Sequence, residues 1–85
     1  MVRVVLTREA QKQIEGLPRV VQARVYGVLE RLRDWPSVSG AKSLTGALAG
    51  HYRIRTGDYR IQFRVEKAQT LIVVVKVGHR DGFYE

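Results

Sequence analysis

The sequence predicts an α+β fold of order β-α-α-β-β-β, in which a helical hairpin packs on a mostly antiparallel four-stranded sheet. Three observations carry the prediction. Apolar residues recur at helical spacing between positions 10 and 35, then switch to alternation from position 51. Gly16-Leu17-Pro18 and Gly57-Asp58 fall where the chain must reverse. The last apolar stretch, residues 71–77, does not alternate, as expected of a central strand covered on both faces over part of its length. With 85 residues and no linker, repeat or low-complexity segment, the chain reads as one domain, 1–85.

The elements follow in order. Residues 2–6 are rich in β-branched side chains and form a first strand. Thr7 can cap a helix, with Glu9 in its first turn and Ala10, Ile14 and Leu17 on one stripe. Gly16 and Pro18 end it, and Pro18 can occupy the first turn of a second helix. Val21, Val25, Val28, Leu29, Leu32 and Trp35 keep a helical spacing until Pro36 stops it. Residues 37–50, with Gly40, Gly46 and Gly50, read as a loop. Tyr52, Ile54 and Thr56 then alternate with His51, Arg53 and Arg55. Beyond the Gly57-Asp58 turn, Tyr59, Ile61, Phe63 and Val65 alternate with Arg60, Gln62 and Arg64. Residues 66–69 make a polar turn into the final strand.

Fifteen Lys and Arg against eight Asp and Glu give a net charge of +7. An excess of that size on so small a chain implies a polyanionic partner. Arginine, whose planar fork pairs bidentately with phosphate, supplies eleven of the fifteen cations. The absence of cysteine excludes disulfides, thiolate zinc sites and thiol catalysis. No stretch approaches the ~20 apolar residues of a membrane span and the N-terminus lacks a signal-peptide core, so the protein reads as cytoplasmic with no membrane partner.

The charge is ordered. Side chains two apart in a strand share a face, so Arg53 pairs with Arg55 and Arg60 with Arg64. The short turn between the two strands puts all four on the side away from the core. A solvated sheet face would mix signs to avoid repulsion. Four arginines with no acid among them point to an anion, and phosphate is the commonest. In the C-terminal segment Val77-Gly78-His79-Arg80-Asp81-Gly82-Phe83-Tyr84, the glycines let Arg80 and Tyr84 swing over this face. A cation there holds phosphate and a ring stacks on an unpaired base. His51 and His79 are the titratable candidates near neutrality. Both fit structural roles, with His79, beside Arg80, the stronger functional candidate.

The string Tyr52-Arg53-Ile54-Arg55-Thr56-Gly57-Asp58-Tyr59-Arg60-Ile61-Gln62-Phe63 resembles the core signature of the RelE/ParE toxin superfamily. So do Val77-Gly78-His79-Arg80, the terminal Tyr84, and upstream Ala10, Leu17-Pro18, Lys42-Ser43-Leu44 and Gly46. The resemblance runs nearly end to end. It implies a toxin of a type II toxin–antitoxin pair. RelE-type members are ribosome-dependent endoribonucleases that cut mRNA in the A site; ParE-type members poison DNA gyrase. It also implies catalytic positions at Arg60, Arg80 and Tyr84. Arg53 and Arg55 stand where some RelE-type enzymes carry lysines, and Arg64 and His79 are expected to contact RNA.

The reaction so implied is attack of a ribose 2′-OH on the adjacent phosphate, with no metal and no cofactor. Arginines would clamp the phosphate, and Tyr84 would stack or take up a proton. The expected partners are mRNA, the ribosomal A site and a cognate antitoxin with an acidic or amphipathic segment. Two alternatives share the fold: a ParE-type gyrase inhibitor, and a non-catalytic module that binds nucleic acid or antitoxin.

Overall fold

The computed structural model describes residues 2–83, so Tyr84, one of the three expected catalytic positions, lies outside the described residues. Strand β1 (Arg3–Leu6) leads into helix α1 (Arg8–Glu15) and helix α2 (Arg19–Leu32). Strands β2 (Lys42–Ser43), β3 (His51–Thr56), β4 (Tyr59–Glu66) and β5 (Leu71–His79) follow, with a 3-10 turn (Gly46–Leu48) between β2 and β3. The sheet order is β1-β5-β4-β3-β2. Only the β1–β5 pair is parallel.

The sheet therefore has five strands and not four. The extra strand is the pair Lys42 and Ser43, which lie opposite Arg53 and Tyr52 inside the segment expected to be loop. Two residues without an apolar period carry no local strand signal; their pairing is made by β3. β4 also runs one residue further than expected, to Glu66, opposite Leu71.

The helices form for the expected reasons. Thr7, in an extended conformation, accepts the Ala10 backbone N–H on its Oγ1 at 3.1 Å, satisfying a donor that α1 leaves free. Pro18 stands just before α2 as its cap residue, not inside its first turn. Trp35 lies beyond the end of α2, in a tightened turn where its N–H reaches the Leu32 carbonyl at 3.1 Å. Pro36 explains this: proline disfavours helical backbone at the residue before it. The turn carries the Trp35 ring onto Tyr52 and Phe63, edge-on at 4.8 and 5.5 Å between centroids.

Both helices cover one face of the sheet. Ala10 and Ile14 of α1, with Val21, Val25, Val28, Leu29 and Leu32 of α2, close over Ile54, Ile61, Phe63, Ile72, Val74 and Val77. β1 pairs with β5 only as far as Leu6↔Val74. Past that point the Val77 N–H is met by Gln13 Oε1 of α1 at 2.7 Å, so the edge left by β1 is not left unsatisfied. The other face of β3, β4 and β5 holds the charge. No helix of the described residues is long and apolar enough to cross a membrane.

Candidate functional site

The outer face is built in three tiers, one residue from each strand. Nearest the Gly57-Asp58 turn, Arg55, Arg60 and Gly78 lie side by side across β3, β4 and β5. The turn itself joins Thr56 to the opposed Tyr59 with Gly57 at φ 60°, a conformation that favours glycine. The middle tier crosses four strands: Lys42, Arg53, Gln62 and Lys76. The far tier is His51, Arg64 and Val73. Residues at adjacent tiers are about 7 Å apart along a strand, so one phosphodiester chain can touch two tiers.

Arg53, Arg55, Arg60 and Arg64 thus share one face, as their alternation requires. Within it the Nε atoms of Arg53 and Arg60 are buried and have no hydrogen-bond partner. A buried donor left unpaired costs about 1–3 kcal/mol, so these two donors, one tier apart on adjacent strands, are suited to an anion that accepts from both. Arg64 differs. Its Nε is ion-paired with Glu66, two residues on along the same face of β4. The two strands are therefore not free of acid, because β4 extends through Glu66 and brings a carboxylate onto the face.

Phe83 closes the β5 side. It is 3% exposed yet stands outside the cluster under the helices. A Cβ built on Gly78 would lie 3.5 Å from Phe83 Cδ1, and the Lys76 ammonium lies 4.6 Å from the ring centroid. The missing side chain at Gly78 makes room for this ring beside Arg60. Gln62, 5% exposed, is the buried polar residue of the middle tier, and its Nε2 lies 2.9 Å from His51 Nδ1.

The two remaining expected contacts sit elsewhere. Arg80 stands at the turn end of the sheet, where its N–H reaches the Asp58 carbonyl at 2.8 Å. Its guanidinium is exposed and lies 3.9 Å from Asp58 and 3.7 Å from Asp81. This puts it at the rim of the Arg55–Arg60 tier. His79 follows Gly78, so strand alternation turns it to the opposite side of the sheet. There its ring meets Tyr59 edge-on at 5.2 Å, and Nδ1 accepts the Asp81 N–H at 3.2 Å. His79, expected to contact RNA, therefore stands on the side of the sheet opposite the arginines, while His51 stands on the arginine side.

Three residues of the face were not expected there, whereas Gln62 was placed on it by the alternation of residues 59–65. Lys76 carried a signal, as the single charge within an apolar run, but Lys42 and Phe83 carried none that local pattern could supply. Among the described residues, no group of three or more His, Asp or Glu side chains converges as a metal cage.

Comparison with known proteins gives this arrangement a lineage. Residues 4–82 match the family model of the ParE toxin of the type II toxin–antitoxin system parDE. Toxin RelG of Mycobacterium tuberculosis is 33% identical over 79 residues, which cover 92% of this chain and 90% of that protein. The fold matches a chain of the M. tuberculosis toxin–antitoxin complex RelBE2 with TM-score 0.81 and 28% identity, over 93% of this chain and 98% of that one. A chain of the archaeal RelE–RelB complex from Pyrococcus horikoshii matches with TM-score 0.75 and 26% identity, over 95% and 97% of the two chains.

Proposed function

Because this chain belongs to the ParE toxin family within the RelE/ParE superfamily of type II toxin–antitoxin toxins, we propose that it is a metal-independent endoribonuclease that cuts mRNA on the ribosome and so inhibits translation. The observation that carries the proposal is the basic face itself, where the Nε donors of Arg53, in the middle tier, and Arg60, one tier nearer the turn, are buried without a partner. A scissile phosphate seated there would complete both donors.

The chemistry follows from those groups. A ribose 2′-OH attacks the adjacent phosphorus in line with the departing 5′-oxygen, leaving a 2′,3′-cyclic phosphate and a free 5′-OH. Negative charge gathers on the non-bridging oxygens in the transition state, and fixed guanidinium donors stabilise it most at that moment. Arg53 and Arg60 serve as the clamp, with Arg55 beside them and Arg80 closing from the rim. Tyr84 is proposed as the ring that stacks on the base or takes up a proton. The partner that restrains the activity is proposed to be an antitoxin with an acidic or amphipathic segment. The +7 charge and the exposed Val20 and Tyr26 of α2 suit such a segment.

A second reading is kept alive by the family model itself, which is that of the ParE toxin. On that reading the same face would serve a ParE-type gyrase inhibitor and no RNA would be cut. Primer extension on mRNA from cells expressing the toxin separates the two. Cuts inside translated codons support the endoribonuclease; an SOS response with intact messages supports the gyrase inhibitor.

A further inference from the structure

The arginine clamp leaves one atom of the reaction unserved. The departing 5′-oxygen needs a proton, and arginine holds its own too tightly to give one readily. His79 is turned to the other side of the sheet. The titratable imidazole of the arginine face is His51, which lies directly opposite Arg64 in the far tier and one tier from Arg53.

His51 is held in place by a buried group. Gln62, 5% exposed on the floor of the middle tier, sits with its Nε2 2.9 Å from His51 Nδ1. In the neutral state the amide N–H donates to Nδ1, which leaves the ring proton on Nε2. No hydrogen bond among the described residues engages Nε2. When the ring takes a second proton, rotation of the amide by half a turn presents Oε1 to Nδ1–H. The same side chain therefore holds both charge states, and in each Nε2 carries a proton.

The charged groups facing His51 are Arg53 on its own strand, Arg64 and Glu66 on β4, Lys42 on β2, and Lys76 on β5 beyond Gln62. Arg64, the nearest cross-strand cation, is ion-paired with Glu66. A phosphate on Arg53 and Arg60 would bring negative charge to the neighbouring tiers.

We propose that His51, oriented by Gln62, is the general acid that protonates the departing 5′-oxygen; the inference rests on the endoribonuclease reading. The bond from the 2′-oxygen to phosphorus forms as the bond from phosphorus to the 5′-oxygen breaks. The 2′-OH proton passes to water, and the 5′-oxygen takes the Nε2 proton of the imidazolium. His51 is left for that moment as the Nδ1–H tautomer, donating to Gln62 Oε1, until Nε2 takes a proton back from water. Gln62 is a positioning residue.

The test is single-turnover cleavage on programmed ribosomes with two messages. One has an ordinary phosphodiester at the cut site; the other has sulfur in place of the 5′-bridging oxygen. A thiolate departs without a proton. His51→Gln slows cleavage of the ordinary message by roughly 10²–10⁴-fold and is restored to within a few-fold of the parent on the sulfur message. Gln62→Met shows a smaller loss with the same restoration. Arg60→Ala is slow on both. The parent's rate on the ordinary message falls as pH rises through the range where histidine loses its proton, and the fall is absent with sulfur. Restored cutting of the sulfur message also shows that the variant is folded. If His51→Gln is equally impaired on both messages, or unimpaired on both, His51 is not the acid. If the parent cuts neither message, the endoribonuclease reading itself fails.

Discussion

Arg55 and Arg60 face one another directly across the β3–β4 hairpin, and no carboxylate among the described residues pairs with either. Like charges opposed on a sheet destabilise it by roughly 0.2–1 kcal/mol. The fold tolerates this strain where the site needs positive charge. Arg55→Thr, which removes one charge and suits a strand, is expected to raise the melting temperature by a few degrees. The same change is expected to weaken growth arrest on induction. A variant that melts lower than the parent would show that Arg55 is held by favourable contacts and not by function.

Arg80 and His79 are neighbours in sequence with opposite expected outcomes. Arg80 is exposed at the rim and makes only exposed ion pairs with Asp58 and Asp81, which contribute little to stability. Arg80→Ala is expected to abolish growth arrest with a melting temperature within about 2 °C of the parent. His79 lies across the sheet from the arginines, so His79→Gln is expected to keep full toxicity and the parent's pH response. Toxicity lost with His79→Gln, in a protein that still melts normally, would return that histidine to the site.

Lys42 joins the face only through the β2–β3 pairing opposite Arg53. Its side chain is expected to meet RNA backbone and no particular base. Lys42→Ala should weaken binding of single-stranded RNA oligonucleotides evenly across sequences and lower the slope of log affinity against log salt by about one. An unchanged slope would remove Lys42 from the interface.

Trp35 packs against the core and is not a stacking platform, since its ring lies edge-on to the stacked rings of Tyr52 and Phe63 on the helix side of the sheet. Trp35→Ala is expected to cost about 3 kcal/mol and lower the melting temperature by more than about 10 °C. RNA affinity measured well below that temperature should be unchanged. A normal melt with lost RNA binding would reverse the assignment.

Much of the site was legible in the sequence because it is local. Alternation over residues 51–56 and 59–65, joined by a two-residue turn, leaves one way to pair the strands with their apolar sets buried. Arg53, Arg55, Arg60 and Arg64 must then share the outer face, whatever the rest of the chain does. The helical stripes and the Thr7 cap are local in the same sense.

Tertiary structure decided what β5 and β2 add. Residues 71–77 do not alternate, so no pattern states which of them point outward. A bulge at Gln62/Phe63 then shifts the register, and the outward positions change from Val73 to Lys76 and Gly78, spaced by three and then two. That slip sets Lys76 beside Gln62, opens Gly78 to the Phe83 ring, and turns His79 away from the arginines. Local pattern fixes which side chains a strand can share with its own hairpin partner. Only the packed sheet fixes which side chains arrive from strands distant in sequence, because their register is set by contacts that close last and are written in no single segment.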